Sequence, residues 1–140
     1  MVSHLVRGIC IVGLSAGSVF AQTNDMFGLE LNAAKPTAAN GCQLTFVAVN
    51  KTGIPLSQTD FEVGVFEADG AFSRLLKFEF GAFPVNKTKV VQFILDKNPC
   101  PDISRLLINN VLSCRGPDGE YPVCMDKLAP KARVDMEFGL

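Results

Sequence analysis

Histidine is almost absent from this sequence, and its scarcity excludes several common kinds of chemistry. The single histidine, His4, lies in a segment with the features of an export signal. Export would remove it, so the working protein lacks the side chain used most often as a proton shuttle and metal ligand. Catalytic sites that pair a nucleophile with a histidine base are therefore excluded, and we predict no enzyme activity.

Three further absences narrow the possible partners and cofactors. The 13 basic and 14 acidic residues are interspersed and leave a net charge of −1, which gives no electrostatic surface for nucleic acid. No Cys-x-x-Cys motif is present, and the wide spacing of the four later cysteines disfavours zinc. No glycine-rich phosphate loop opens a helix. We predict no cofactor and no metal.

The first 21 residues predict a signal peptide. His4 and Arg7 give a weakly basic start, Gly8–Phe20 is apolar or small, and Ser18-Val19-Phe20-Ala21 places small residues where a signal peptidase cuts. The apolar run falls short of the roughly 20 residues that span a bilayer. We therefore predict cleavage after Ala21, a flexible tail at 22–26, no membrane span after signal removal, and a periplasmic or secreted protein.

Residues 27–140 predict one all-β domain. Apolar residues recur at every second position between Gly, Pro, Asn and Asp, a pattern typical of strands. The seven predicted strands are Phe27–Ala33, Cys42–Asn50, Phe61–Ala68, Phe72–Phe80, Lys87–Leu95, Ser104–Leu112 and Lys131–Phe138. This spacing indicates an antiparallel immunoglobulin-like β-sandwich with the first and last strands at its edges. Phenylalanines at alternate strand positions indicate core rather than a ligand groove.

Asp69-Gly70 predicts a hairpin between the third and fourth strands. This pair favours a two-residue type I′ turn, in which both residues have positive φ. Pairing Ala68 with Ala71 places Val63 opposite Leu76 and Phe61 opposite Phe78 on one face. On the other face, Glu62 then lies opposite Lys77. Because the apolar and charged residues separate, turn and pattern support the same register.

Four cysteines in an exported chain indicate two disulfides, for which three connectivities exist. If successive strands alternate in direction, Cys42 and Cys100 lie at one end of the sandwich, and Cys114 and Cys124 at the other. A nine-residue strand is about 30 Å long, whereas bridged Cα atoms lie about 5.5 Å apart. We therefore predict Cys42–Cys100 and Cys114–Cys124.

The segment between Cys114 and Cys124 is the best candidate for a contact surface. It carries Arg115, Asp118, Glu120 and the single tyrosine, Tyr121, and its two prolines limit its freedom. Such a loop also fits a stapled connection rich in turn residues, and the sequence favours that interpretation. Asn50-Lys51-Thr52 and Asn86-Lys87-Thr88 match the glycosylation pattern, although asparagine at strand ends is also a common turn residue.

Several short segments together resemble a family of small exported bacterial proteins, usually labelled as twin-arginine-pathway signal proteins. The resemblance covers most of residues 27–138. It is carried by the four later cysteines and by Leu29-Glu30-Leu31-Asn32, Gly41-Cys42, Phe46-Val47-Ala48, Asp69-Gly70, Phe80-Gly81-Ala82, Gln92-Phe93 and Leu107-Ile108-Asn109. These motifs are structural and imply a bacterial periplasm without naming a substrate. Arg7 has no second arginine beside it, which favours general secretion.

These features predict an exported, non-catalytic binding or structural module of the bacterial cell envelope, which contacts a protein or another envelope component. One alternative is an envelope hydrolase that uses only carboxylates, which requires two acids facing each other across a groove. Another is a secreted inhibitor that inserts its 114–124 loop into an enzyme.

Overall fold

The structure is a computed structural model that describes residues 25–140 and is built mainly of β-strands. Among these residues, a 3-10 turn covers Cys100–Asp102 and a short helix, α1, covers Val123–Asp126. The strands are β1 (Phe27–Pro36), β2 (Cys42–Asn50), β3 (Gln58–Glu67), β4 (Phe72–Glu79), β5 (Thr88–Leu95), β6 (Ile103–Gly116), β7 (Gly119–Glu120), β8 (Leu128–Ala132) and β9 (Glu137–Gly139). The all-β prediction is confirmed, with nine strands in the described part of the chain instead of seven.

The strands form two sheets. Sheet one has the order β5-β2-β1-β8, and sheet two has the order β4-β3-β6-β7, with β9 also paired to β6. Most neighbours are antiparallel, but β8 runs parallel to β1 and β9 runs parallel to β6. The prediction of antiparallel pairing throughout is therefore wrong at these two strands.

The predicted last strand, Lys131–Phe138, is the largest error. The chain leaves sheet one after β8, crosses at residues 133–136 and joins sheet two as β9. Met136 and Phe138 are buried as their alternation predicts, because the crossing segment keeps its apolar side against the core. Since β8 pairs with the far side of β1, the first strand is internal and the prediction that it forms an edge is also wrong.

The predicted hairpin register is confirmed, but its turn type is wrong. Phe61 pairs with Phe78, Glu62 with Lys77 and Val63 with Leu76. The turn itself closes with Glu67 N donating to Ala71 O, and Gly70 has φ +84°. This is the geometry of a three-residue loop, and a register shift between Val65 and Phe66 restores the predicted pairing.

Phenylalanines from both sheets form the centre of the core. Phe46 of β2 is fully buried, and its ring makes tilted, edge-on contacts with Phe78, Phe80 and Phe138 of the opposite side at 5.3–5.8 Å. Phe78 and the Phe93 ring of β5 stack with centroids 4.3 Å apart. Such contacts add about 0.5–1.5 kcal/mol each beyond area burial. The aromatic residues therefore hold the two sheets together.

Both predicted disulfides are present. Cys42 at the start of β2 is bonded to Cys100 in the 3-10 turn after β5, with Cα atoms 4.9 Å apart. Cys114 near the end of β6 is bonded to Cys124 in α1, with Cα atoms 5.9 Å apart. Each bond joins a strand to a residue that lies outside the strands, Cys100 in the 3-10 turn and Cys124 in α1. The cysteines meet where the direction of the strands was expected to bring them.

The predicted signal peptide, with Cys10 inside it, lies outside the described residues. Of the predicted flexible tail, Asp25 and Met26 are described, and both make contacts. The Asp25 carboxylate lies 3.4 Å from Lys127 Nζ, and Met26 O accepts a hydrogen bond from Lys51 N. Within residues 25–140, no helix is long and apolar enough to cross a membrane.

Candidate functional site

The predicted contact loop is folded back on itself. β6 continues to Gly116, the chain turns at Pro117 and Asp118, and β7 returns alongside it before Tyr121 and α1. Tyr121 N donates to Cys114 O at 2.8 Å, which closes the loop beside its disulfide. The structure thus brings together all four polar residues singled out in the sequence.

Glu120 and Arg115 pair with each other across the strand pair. Glu120 accepts hydrogen bonds from Cys114 N at 2.7 Å and from Arg115 Nε at 3.2 Å. The backbone hydrogen bond from Cys114, with help from Arg115, holds the pKa of Glu120 below its ordinary value. Since both residues are exposed, their ion pair contributes little to stability. Its main effect is to orient the Glu120 carboxylate.

Tyr121 and Asp118 form the second internal pair. The Tyr121 hydroxyl donates to the Asp118 carboxylate at 3.0 Å, and this bond raises the pKa of Tyr121. The tyrosine ring lies against Gly116, where a Cβ atom would come within 2.6 Å of the ring. Because the polar groups of the loop are already bonded to one another, the geometry is typical of a stapled connection.

Two further carboxylates are also paired with cations. Asp60 is buried and lies 3.3 Å from Lys77 Nζ, whose pKa is raised chiefly by its bond to Glu79 and then by Asp60. Glu30 is 16 % exposed and accepts hydrogen bonds from Asn32 and Arg133. These contacts, together with Lys131, lower its pKa to about 2. Each acid is thus fixed in an ion pair.

The two asparagine sequons differ sharply. Asn50 is fully buried, and its Nδ2 donates to the carbonyl oxygens of Ile54 at 2.8 Å and Phe83 at 2.9 Å. Asn86 is exposed in a turn and has φ +62°. A glycan on Asn50 would replace one of the Nδ2 hydrogens that are donated to these two carbonyls. Asn50 is therefore a structural residue that joins the connections at this end of the molecule.

An apolar patch on the outer face of sheet two was missed by the sequence reasoning. It surrounds Gly64, which pairs with Leu75 of β4 on one side and Leu107 of β6 on the other. The rings of Phe66 and Phe72 lie over the glycine, within 3.4–3.8 Å of where its Cβ would be. Phe72 is 57 % exposed and Leu75 is 47 % exposed. We call these residues the Gly64 patch.

Arginine borders the Gly64 patch. Arg105 of β6 pairs with Phe66 of β3, and its guanidinium lies 5.6 Å from the Phe66 ring centroid. The predicted hairpin register was sufficient to find this surface. Glu62 and Lys77 point outward, and Gly64 and Leu75, two residues further along the same strands, must point to the same side. The outward positions therefore combine aromatic, aliphatic and arginine side chains.

Within residues 25–140, no three histidine, cysteine, aspartate or glutamate residues lie close enough together to hold a metal ion. Three concave regions of the described chain each hold at most one carboxylate, Asp135 in one and Glu30 in another, so none of the three brings two acids together. Comparisons with protein-family models, with curated proteins and with solved structures found no match.

Proposed function

We propose that this protein is an exported, non-catalytic binding or structural module of the bacterial cell envelope, and that it contacts a protein partner through the Gly64 patch. The observation that carries this proposal is the exposure of Phe72 and Leu75 on a sheet face bordered by Arg105. Isolated exposed apolar residues are common, whereas a contiguous group of them marks a surface that is covered in use.

The composition of the Gly64 patch favours a protein over other envelope components. Phenylalanine and arginine are enriched where proteins meet, and the residues that dominate binding cluster at the centre of such surfaces. Arg105 adds a positive charge at the rim, so a matching partner surface is apolar with a carboxylate at its edge. The two disulfides are compatible with an oxidising compartment outside the cytoplasm.

The architecture supports an immunoglobulin-like sandwich as part of the same proposal. Two sheets enclose one aromatic core, and the resemblance to small exported bacterial proteins points to the periplasm or the medium. Fold likeness alone does not give a function, so the contact surface carries the proposal.

The 114–124 loop is the second candidate, as the inserting element of an enzyme inhibitor. The Cys114–Cys124 bond and the Tyr121–Asp118 pair make it rigid, and Pro117 through Glu120 are exposed. Rigid presentation reduces the entropy lost on binding. Its polar groups, however, already bond to one another, which ranks it below the Gly64 patch.

Variants of the two surfaces separate these candidates. The protein is crosslinked to partners in an extract of its own cell envelope, and a partner identified by mass spectrometry is purified for direct binding measurements. We expect Phe72→Ser with Leu75→Ser to weaken binding at least tenfold, and Leu112→Ser, an exposed apolar residue elsewhere on sheet two, to leave it unchanged. Loss of binding in Arg115→Ala with Asp118→Ala, but not in the patch variant, would instead assign the loop.

A further inference from the structure

The exposed edges of the two sheets are protected to very different degrees. An edge strand presents unpaired backbone groups, and proteins usually blunt it with proline, charge, a bulge or extreme shortness. β8 has five residues and contains Pro130 and Lys131. β7 and β9 have only two and three residues. β4 carries Arg74 and Lys77, and its pairing with β3 shifts near the turn.

β5 has almost none of these protections. It is eight residues long, and its register with β2 is regular from end to end. Val90–Leu95 contains neither charge nor proline. Val90 and Ile94 point outward and are 64 % and 59 % exposed. In the described chain no strand pairs with the free side of β5, which is therefore a regular edge without charge from Val90 to Leu95.

The one charged residue of β5 does not shield this edge. Lys89 Nζ donates to the carbonyl oxygens of Phe80 and Ala82, both at 2.9 Å, and lies 4.5 Å from the centroid of the Phe83 ring. The lysine side chain is thus bound to the connection between β4 and β5. The N–H and C=O groups of every second residue from Val90 to Leu95 point away from β2 and remain available to a further strand.

We infer that the free edge of β5 pairs with β5 of a second copy of this chain, antiparallel and centred on Gln92. The two four-stranded sheets then join into one eight-stranded sheet around a two-fold axis. Every second residue of β5 supplies its N–H and C=O to the new pairing, and the neighbouring sandwiches lie side by side. Self-association of this kind is independent of the partner surface on sheet two.

A second copy is the occupant because β5 is complementary to itself. Centring on Gln92 places Val90 of one copy opposite Ile94 of the other on the outer face, twice by symmetry, and Gln92 opposite Gln92. On the inner face Val91 meets Phe93. At each end, Asp96 of one copy comes opposite Thr88 of the other, and the paired stretch from Val90 to Ile94 contains no charged residue that would repel its symmetry mate.

The expected dimer is weak because one strand pair is a small interface. Contacts limited to an edge of this length fall at the low end of specific interfaces, below about 1,200 Å² in total. Association should therefore depend on concentration, and the measurement must cover roughly 1 µM to 1 mM. Sedimentation equilibrium of the oxidised protein over this range gives the dissociation constant.

Charge at position 92 tests both the pairing and its register. Gln92 makes one side-chain hydrogen bond, to Thr45 Oγ1 at 3.1 Å, so replacing it has little effect on the fold. In the dimer, Gln92→Lys places two ammonium groups opposite each other, and Gln92→Glu places two carboxylates there. Each variant alone is expected to dissociate at least tenfold more readily than the parent. An equimolar mixture of the two restores the dimer, since a lysine then faces a glutamate.

Leu112→Lys is the matched control, because it adds the same charge at an exposed position of β6 and should leave the dissociation constant unchanged. A protein that stays monomeric to 1 mM overturns the inference, as does a dimer that Gln92→Lys does not weaken. A mixture that fails to recover overturns the register centred on Gln92. Recovery of the mixture with no effect of the control confirms the pairing.

Discussion

The side-chain amide of Asn50 donates a hydrogen bond to the carbonyl oxygen of Phe83, 33 positions away in the chain, at 2.9 Å. Its Oδ1 accepts from both the backbone N and the hydroxyl of Thr52, at 3.0 and 2.7 Å. With the bond to Ile54, a fully buried side chain satisfies every hydrogen-bonding group that it carries. Asn50 thus fixes the 51–54 turn against the connection that leads into β5.

Replacing Asn50 with alanine is expected to lower the free energy of unfolding by about 2–3 kcal/mol. The Ile54 carbonyl loses this donor, the Phe83 carbonyl keeps only the one from Leu56 N, and the backbone N and hydroxyl of Thr52 lose their acceptor. Urea denaturation followed by far-UV circular dichroism measures this change. Asn86→Gly is the control from the other sequon, since glycine tolerates the positive φ at that exposed site. A loss in Asn50→Ala no larger than in Asn86→Gly would contradict the structural role of Asn50.

The two disulfides should contribute unequally to stability. The Cys42–Cys100 bond joins residues 58 positions apart, and the Cys114–Cys124 bond joins residues 10 apart. Loop-closure entropy in the unfolded chain gives about 4 kcal/mol for the first and about 3 kcal/mol for the second. Paired alanine variants, measured by chemical denaturation, should therefore rank in that order. The reverse order would show that strain or residual structure outweighs chain entropy here.

Glu30 predicts a specific loss of stability in acid. Its pKa is lowered from 4.5 to about 2, first by the hydrogen bond from Asn32 and then by Lys131 and Arg133. Because the folded state favours the ionised carboxylate, its contribution is complete above pH 4.5 and is lost as the pH falls towards 2. The free energy of unfolding of the parent should therefore fall over this window.

Glu30→Gln, which cannot ionise, should show a shallower fall over the same window, even if its stability near neutral pH is lower. Unfolding in urea at a series of pH values compares the two slopes. The slope of Glu120→Gln is compared with that of the parent in the same way, because the pKa of Glu120 is also lowered, chiefly by the hydrogen bond from Cys114 N. Identical slopes for the parent and Glu30→Gln would show that Asn32, Lys131 and Arg133 do not lower the pKa of Glu30 in solution.

Tyr121 can be titrated without interference, because it is the single tyrosine and the chain has no tryptophan. Its hydrogen bond to Asp118 raises the pKa of the hydroxyl. Ionisation would break this bond and place the negative tyrosinate oxygen next to the negative Asp118 carboxylate. Absorbance near 295 nm against pH should give a pKa above that of free tyrosine, and Asp118→Asn should lower it. An unchanged titration in Asp118→Asn would mean that the loop is open in solution.

The local sequence pattern was enough to predict features that follow from alternation within a strand or from the direction in which strands run. The alternation in β2 from Cys42 to Asn50 is reproduced residue by residue in its burial. Strand direction alone placed Cys42 beside Cys100 and Cys114 beside Cys124, because a strand is far longer than a disulfide. These features depend on geometry that any antiparallel arrangement shares.

Features that depend on non-local pairing were not predictable. The stretch from Lys131 to Phe138 alternates like one strand, yet its two halves pair with different sheets. Alternation reports which side faces the core and does not report which backbone lies next to it. The Gly64 patch was missed for another reason. Its outward residues follow from the hairpin register, but an apolar residue on the solvent face looks like core until the neighbouring strands are known.

The central claim, that the Gly64 patch contacts a partner, is tested most directly by site-specific photo-crosslinking in the living cell. A photoreactive amino acid is placed in turn at Leu75 in the patch, at Asp118 in the loop, and at Leu112 as an exposed control. We expect a covalent adduct of one discrete mass at position 75, and none at positions 112 and 118. An adduct at position 118 with none at position 75 would contradict the account.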